Sequence, residues 1–213
     1  MPNFTDLSGL ISTASAMAAT LLLFPRAKRL AKPHLAMLAA SVFVAALIPF
    51  SGLPLAAYVR GATGDLSITT VVLLWCALLR PLSETAPGCT ASDTGNRLAL
   101  LALIGFAAVM LYPQALGWGT YDPYRIGYGN GQFVATLFLI ALAAWLCKYY
   151  SVALCLALTT LAWAIGWYES SNLWDYLLDP FVSVYALAAI LKQAAKTLTK
   201  PLLNKPGKPP MLN

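Results

Sequence analysis

Residues 131 to 147, GQFVATLFLIALAAWLC, contain no charged side chain, and residues 7 to 24, 35 to 58, 98 to 116 and 150 to 168 are equally free of Asp, Glu, Lys and Arg. Helices of about 20 such residues match the hydrocarbon thickness of a bilayer. Only 10% of the 213 residues are charged, against about 25% in soluble domains, so a bilayer is the expected solvent. The mean hydropathy of +0.69 agrees. A closed β-barrel would need alternating strands of about ten residues, and these runs do not alternate.

The expected fold is therefore all-α: a polytopic membrane helix bundle with about seven transmembrane helices. The spans are drawn at 7 to 24, 35 to 58, 66 to 82, 98 to 116, 131 to 147, 150 to 168 and 172 to 191. Residues 1 to 200 form a single helical domain in this reading, and residues 201 to 213 form a Pro- and Lys-rich tail. The first span lacks a basic segment before it and continues apolar past its small residues, so it is expected to be retained as a helix. Ser12, Ala16 and Thr20 share one face of that span and favour close packing inside the bundle.

Orientation follows from the basic residues, which stay on the cytoplasmic side. With the N-terminus outside and the C-terminus inside, the cytoplasmic set holds Arg26, Lys28, Arg29, Lys32, Arg80, Arg97, Lys148, Lys192, Lys196, Lys200, Lys205 and Lys208, twelve of fourteen. Arg60 and Arg125 remain outside, near Asp6, Asp65, Asp122, Glu169, Asp175 and Asp179. An even number of spans would misplace some of these charges. The expected location is the inner membrane of a bacterial-type cell, multi-pass, with lysines of the tail against anionic lipid headgroups.

Pro49 and Pro54 interrupt the second span and Pro180 the seventh, which makes those two helices candidates to line a wet cavity. Three outer stretches gather the remaining polar residues: YVRGATGDLSITT, TYDPYRIGYGNGQ and WYESSNLWDYLLDP. Asp65 or Ser67 can cap the third span, Asp122 before Pro123 suits a short surface helix, and Asn172 with Asp175 resembles a capping box. Trp118, Tyr121, Tyr124, Tyr128, Trp167, Tyr168 and Trp174 fit an interfacial aromatic belt.

Asp175 and Asp179 lie at i and i+4, which on one continuous helix places two like charges on a single face. The economical expectation pairs Arg60 or Arg125 with them, since intramembrane charges are costly and usually mark functional cavities. A helix restarted at Pro180 with Asp179 as its cap is the competing reading. Ending at Leu191 it would be only about 18 Å long, so a continuous kinked helix from Asn172 is expected instead.

Several chemistries are disfavoured. His34 is the only histidine and falls in the basic loop beside Pro33, which removes imidazole-dependent hydrolysis and histidine-ligated metal or haem from the outer face. Cys76, Cys89, Cys147 and Cys155 include no C-x-x-C and none is placed outside. Cys76 and Cys155 are expected in the core. No nucleic-acid surface is expected, because the basic residues are not interleaved with stacking aromatics. The Asp175 and Asp179 spacing is shared with the D-x-x-x-D end of membrane enzymes that transfer phosphate-linked alcohols. The upstream acidic and Gly-Ala-Arg portion is missing and the membrane side is opposite, so no family is assigned.

The working surface is expected at the outer face, roofed by residues 58 to 70, 118 to 132 and 167 to 180. Asp175, Asp179 and Glu169 are the candidate acid, base or cation-binding groups. Arg60, Arg125, Asp65, Asp122 and Tyr124 are the candidate substrate-binding groups, with no metal and no cofactor. The function this suggests is recognition or processing of a lipid-linked or phosphate-bearing envelope substrate, with membrane lipids and such a substrate or an envelope protein as partners. A non-catalytic accessory, assembly or immunity protein and a small proton- or cation-coupled transporter are the alternatives, and whether the chain is an enzyme is left open.

Overall fold

The computed structural model describes residues 3–24, 30–79 and 94–203. Among these the chain is all-helical apart from one minimal strand pair. The order is α1 (Phe4–Leu22), α2 (Lys32–Leu47), β1 (Pro49–Phe50), β2 (Leu53–Pro54), α3 (Leu55–Thr63), α4 (Ile68–Leu79), α5 (Thr94–Ala115), a 3-10 turn (Pro123–Gly127), α6 (Gly131–Leu146), α7 (Tyr150–Ala164), α8 (Leu173–Leu177) and α9 (Pro180–Leu203). The stretch Gly95–Ala115 of α5 is, among the described residues, the one helix long and apolar enough to cross a membrane by itself. Pro113 sits inside it without ending it.

The bundle has one larger packing centre and two small ones. The larger joins α5, α7, α8 and α9 through Leu100, Ile104, Leu156, Leu173, Tyr176 and Val182, with Tyr176 and Leu173 fully buried. Of the small ones, the first holds α1 against α2 through Ala19, Leu22 and Leu35, and the second holds α1 against α2 and α3 through Ala14, Ala46 and Ala56. Helix α1 buries Ser8, Ser12, Thr13, Ser15 and Ala16, and small side chains of this kind let neighbouring backbones approach. Ser12 and Ala16 serve the packing face expected of them, whereas Thr20 is exposed. Cys155 is buried and Cys76 half-buried.

Two drawn spans are corrected. The span 35 to 58 is not one helix: α2 stops at Leu47 and a hairpin pairs Pro49 with Pro54 and Phe50 with Leu53. Ser51 and Gly52 turn it at φ 57° and 99°, the pair of positive values that a two-residue hairpin turn requires. Proline at both ends of the hairpin cannot supply the helical N–H donor, so the helix ends and restarts as α3.

The span 172 to 191 is likewise broken. Helix α8 ends at Leu177, Leu178 is extended at φ −134° and ψ 141°, and α9 begins at Pro180. The length objection to a restart disappears because α9 runs 24 residues to Leu203, about 36 Å. His34 is also corrected, since it stands exposed in the first turn of α2 rather than in a loop. Arg26, Lys28, Arg29, Arg80, Cys89, Lys205, Lys208 and the tail from residue 204 lie outside the described residues.

The long helices share two ends. At one, the start of α1, the hairpin with α3, the 3-10 turn and α8 come together and carry the acidic residues. At the other lie Arg97 near the start of α5, Lys148 between α6 and α7, and Lys192 and Lys196 toward the end of α9.

Candidate functional site

The acidic end is built from three hydrogen-bonded clusters. In the first, Arg60 near the end of α3 grips Asp65 with two parallel bonds, Nε to Oδ1 at 2.5 Å and Nη2 to Oδ2 at 3.0 Å. Its Nη1 lies 3.5 Å from Oδ1 of Asp6 in the first turn of α1. Exposed Glu169 adds its field, and the guanidinium pKa is raised chiefly by the hydrogen bond to Asp65. The expected partnership of Arg60 with Asp175 and Asp179 is therefore corrected. Asp65 is five residues away and faces the same loop, so the local pair forms at lower entropic cost than a distant one.

Gly9 makes this arrangement possible. A Cβ there would stand 2.5 Å from Cζ and 2.6 Å from Nε of Arg60. The guanidinium fills the space a Gly9 side chain would take, but it is the tip of a flexible side chain and can move. Gly9→Ala is expected to keep the fold, displace Arg60 and lower stability by about 1 kcal/mol. Thermal unfolding of the detergent-solubilised protein checks this, and the loss should vanish in an Asp65→Asn background.

In the second cluster, Asp122 caps the 3-10 turn by accepting from the Tyr124 N–H at 3.0 Å, as expected. The turn aims the Tyr124 hydroxyl at Asp175, which accepts at 2.9 Å on Oδ1 and 3.0 Å on Oδ2. Ser170 donates to Oδ2 as well, at 2.5 Å. The Tyr124 pKa is raised strongly, first by burial and then by the bond to Asp175. Tyr124 is thus a fixed neutral donor rather than a phenolate.

Asn172 stitches this turn to α8. Its Oδ1 caps the helix by accepting from the Trp174 N–H at 3.0 Å, while its Nδ2 donates to the Tyr124 carbonyl at 3.0 Å. The reciprocal half of the expected capping box is not formed, because the Asp175 carboxylate is taken by Tyr124 and Ser170 and the Asn172 N–H goes to Ser170 Oγ. The Trp174 indole N–H donates to the Pro123 carbonyl at 3.0 Å, and the Tyr176 hydroxyl bridges the carbonyls of Tyr168 and Ser170.

The third cluster surrounds Asp179, which is 4% exposed. Its Oδ2 accepts from the Ser67 N–H at 2.9 Å, the Ser67 hydroxyl at 2.8 Å and the Thr70 hydroxyl. Its Oδ1 accepts from the Val182 N–H at 2.8 Å. Ser67 in turn caps α4 by accepting from the Thr70 N–H at 3.2 Å, so Ser67 and not Asp65 is the cap of that helix. Asp179 therefore sits between the N-termini of α4 and α9 and accepts from N–H groups that neither helix can bond internally. Asp175 and Asp179 do not share a face, since the extended Leu178 separates their helices.

The structure thus brings together Arg60 with Asp65, Glu169 near Arg60, and Tyr124 with Asp175. It leaves Asp179 enclosed and Arg125 apart. Arg125 is exposed and, among the described residues, its side chain makes no hydrogen bond or ion pair. It projects from a turn whose Pro123 and Gly127 are buried. Exposed Trp118, Tyr121 and Tyr128 lie close to it in sequence on the same loop. Gly9, Gly127, Ser170 and Thr70 carry no signal in the sequence, since their partners are brought to them only by folding. Among the described residues no group of three or more His, Cys, Asp or Glu side chains could hold a metal. No protein family, curated protein or solved structure matches the chain.

Proposed function

We propose that the chain is a multi-pass protein of a bacterial-type inner membrane, N-terminus out and C-terminus in, whose acidic end recognises a lipid-linked or phosphate-bearing envelope molecule. The bilayer reading is supported by the outward faces of the helices. Met37 of α2, Phe106 of α5, Phe138 and Leu139 of α6, Leu161 of α7 and Val184 of α9 are each more than half exposed, and so many exposed large apolar side chains suit a lipid-facing surface. Seven helices of 12 to 24 residues, α1, α2, α4, α5, α6, α7 and α9, would make the crossings. The shorter ones would be accommodated by local thinning and by aromatic anchors such as Trp145 and Tyr150, whose rings pack edge to face.

Recognition is favoured over processing because two of the three candidate acid or base groups, Asp175 and Asp179, are already engaged, and the third, Glu169, stands exposed at the surface. Asp65 is held by Arg60, Asp175 by Tyr124 and Ser170, and Asp179 by four donors away from solvent. The same engagement takes up Asp175 and Asp179, the acidic pair that a proton- or cation-driven transporter would use, while a docking role for a protein partner would draw on the same exposed aromatics. The observation that carries the reading is Arg125, an exposed guanidinium on a turn that buried neighbours hold in place. Such a group is suited to paired hydrogen bonds with phosphate or carboxylate oxygens.

The test is mass spectrometry of the lipids that co-purify with the protein in mild detergent. Arg125→Gln is expected to leave accumulation unchanged and to lower a phosphate-bearing envelope lipid about tenfold, the loss of one charge-assisted contact. Arg125→Lys should recover part of it. Unchanged lipids and an unchanged envelope phenotype in Arg125→Gln would sink the proposal.

A further inference from the structure

At the opposite end of the bundle a groove of about 410 Å³ runs between α5 and α9. Arg97, Lys192 and Lys196 line it together with Tyr185, and among its described lining residues none is acidic. Leu98 and Leu101 of α5 and Ala188 of α9 supply apolar wall in the same groove. Arg97 is held by two contacts with Tyr185: its Nη2 donates to the phenolic oxygen, and its Cζ lies 6.0 Å from the ring centroid. A guanidinium has five N–H donors, so this one is positioned and still able to bind. Tyr185, Ala188, Lys192 and Lys196 recur at helical spacing along one stripe of α9, which sets small side chains between an aromatic ring and two ammonium groups.

We propose that this groove is a binding site for one anionic glycerophospholipid. The phosphate would lie against Arg97 and Lys192, and an acyl chain would follow Leu98, Leu101 and Ala188. Charge complementarity argues for an anionic lipid over a zwitterionic one, because among the described lining residues Arg97 and Lys192 carry positive charge and none carries a carboxylate that would pair with a choline or ethanolamine. The apolar wall argues for a lipid over a free phosphate, which has nothing to place there. The site rests on the membrane reading above but not on recognition at Arg125, which belongs to the other end of the bundle. Its role would be to tie the start of α5 to the end of α9 from the cytoplasmic leaflet.

The experiment is native mass spectrometry of the full chain in neutral detergent, titrated with phosphatidylglycerol, phosphatidylcholine or inorganic phosphate. One phosphatidylglycerol is expected to remain bound at a voltage that strips phosphatidylcholine. The double variant Arg97→Gln with Lys192→Gln should weaken that binding about tenfold or more, while Lys32→Gln should not. Arg97→Lys with Lys192→Arg keeps both charges and should restore binding, which separates lost charge from lost fold. Equal retention of the two lipids, or wild-type binding by the double Gln variant, would overturn the proposal, as would displacement of the lipid by inorganic phosphate. If instead the protein leaves the membrane fraction without detergent, the bilayer reading itself has failed.

Discussion

Asp179→Ala is expected to be the most damaging single substitution at the acidic end, lowering stability by roughly 3–5 kcal/mol and cutting accumulation of the protein. Its carboxylate accepts from Ser67 N–H, Ser67 hydroxyl, Thr70 hydroxyl and Val182 N–H. Removing it strands donors from the first turns of two helices in a place that is 4% exposed. Asp179→Asn separates the capping role from a chemical one. The amide oxygen can serve one side of the site, but the NH2 then faces donors on the other, so thermal unfolding should show an intermediate loss. A stable Asp179→Asn protein without biological activity would instead assign Asp179 to chemistry and contradict its role as a structural acceptor.

Gly127→Ala should be nearly as costly. A Cβ at that position would lie 1.8 Å from Oδ1 and 2.8 Å from Cγ of Asn172, and 2.8 Å from Cδ1 of Trp174. None of these atoms can retreat easily, because Asn172 is fully buried and both ends of its amide are bonded. Overpacking of this severity costs about 1–3 kcal/mol, and the loop carrying Tyr124 and Arg125 should lift from α8. Limited proteolysis between residues 118 and 130 should become faster in Gly127→Ala. Gly131→Ala, with nothing within 4 Å of the added carbon, should leave both stability and cleavage nearly unchanged.

The contrast between Asp122 and Asp179 shows how much of the site is legible in the sequence. Asp122 precedes proline in a polar loop, its partner is two residues away, and its capping role can be read from spacing alone. Asp179 precedes proline too, yet the deciding partners, Ser67 and Thr70, are over a hundred residues distant. A restart at Pro180 looks too short when the helix is ended at Leu191, whereas the helix continues through Lys192 and Lys196, whose long side chains can keep their charges at a polar boundary. The all-helical fold is legible because uncharged runs of this length admit few alternatives. The broken second span is half legible, since Pro49 and Pro54 announce an interruption but not that Ser51 and Gly52 fold it into a hairpin. The true partner of Arg60 is hidden because Asp65 reads equally well as a cap, and nothing around Gly9 indicates that it leaves room for a guanidinium from another helix.

The link between α6 and α7 bears on how the chain is made. Only Cys147, Lys148 and Tyr149 separate the two helices, with Lys148 at φ 65° and the Tyr149 N–H bonded to the Ala144 carbonyl at 2.7 Å. A connection this tight prevents the helices from moving apart. On the proposed topology they would have to leave the insertion machinery as one antiparallel pair, with Lys148 at its tip held on the cytoplasmic side. Lengthening this link with flexible residues would therefore change the order of assembly before it changed any contact in the finished bundle.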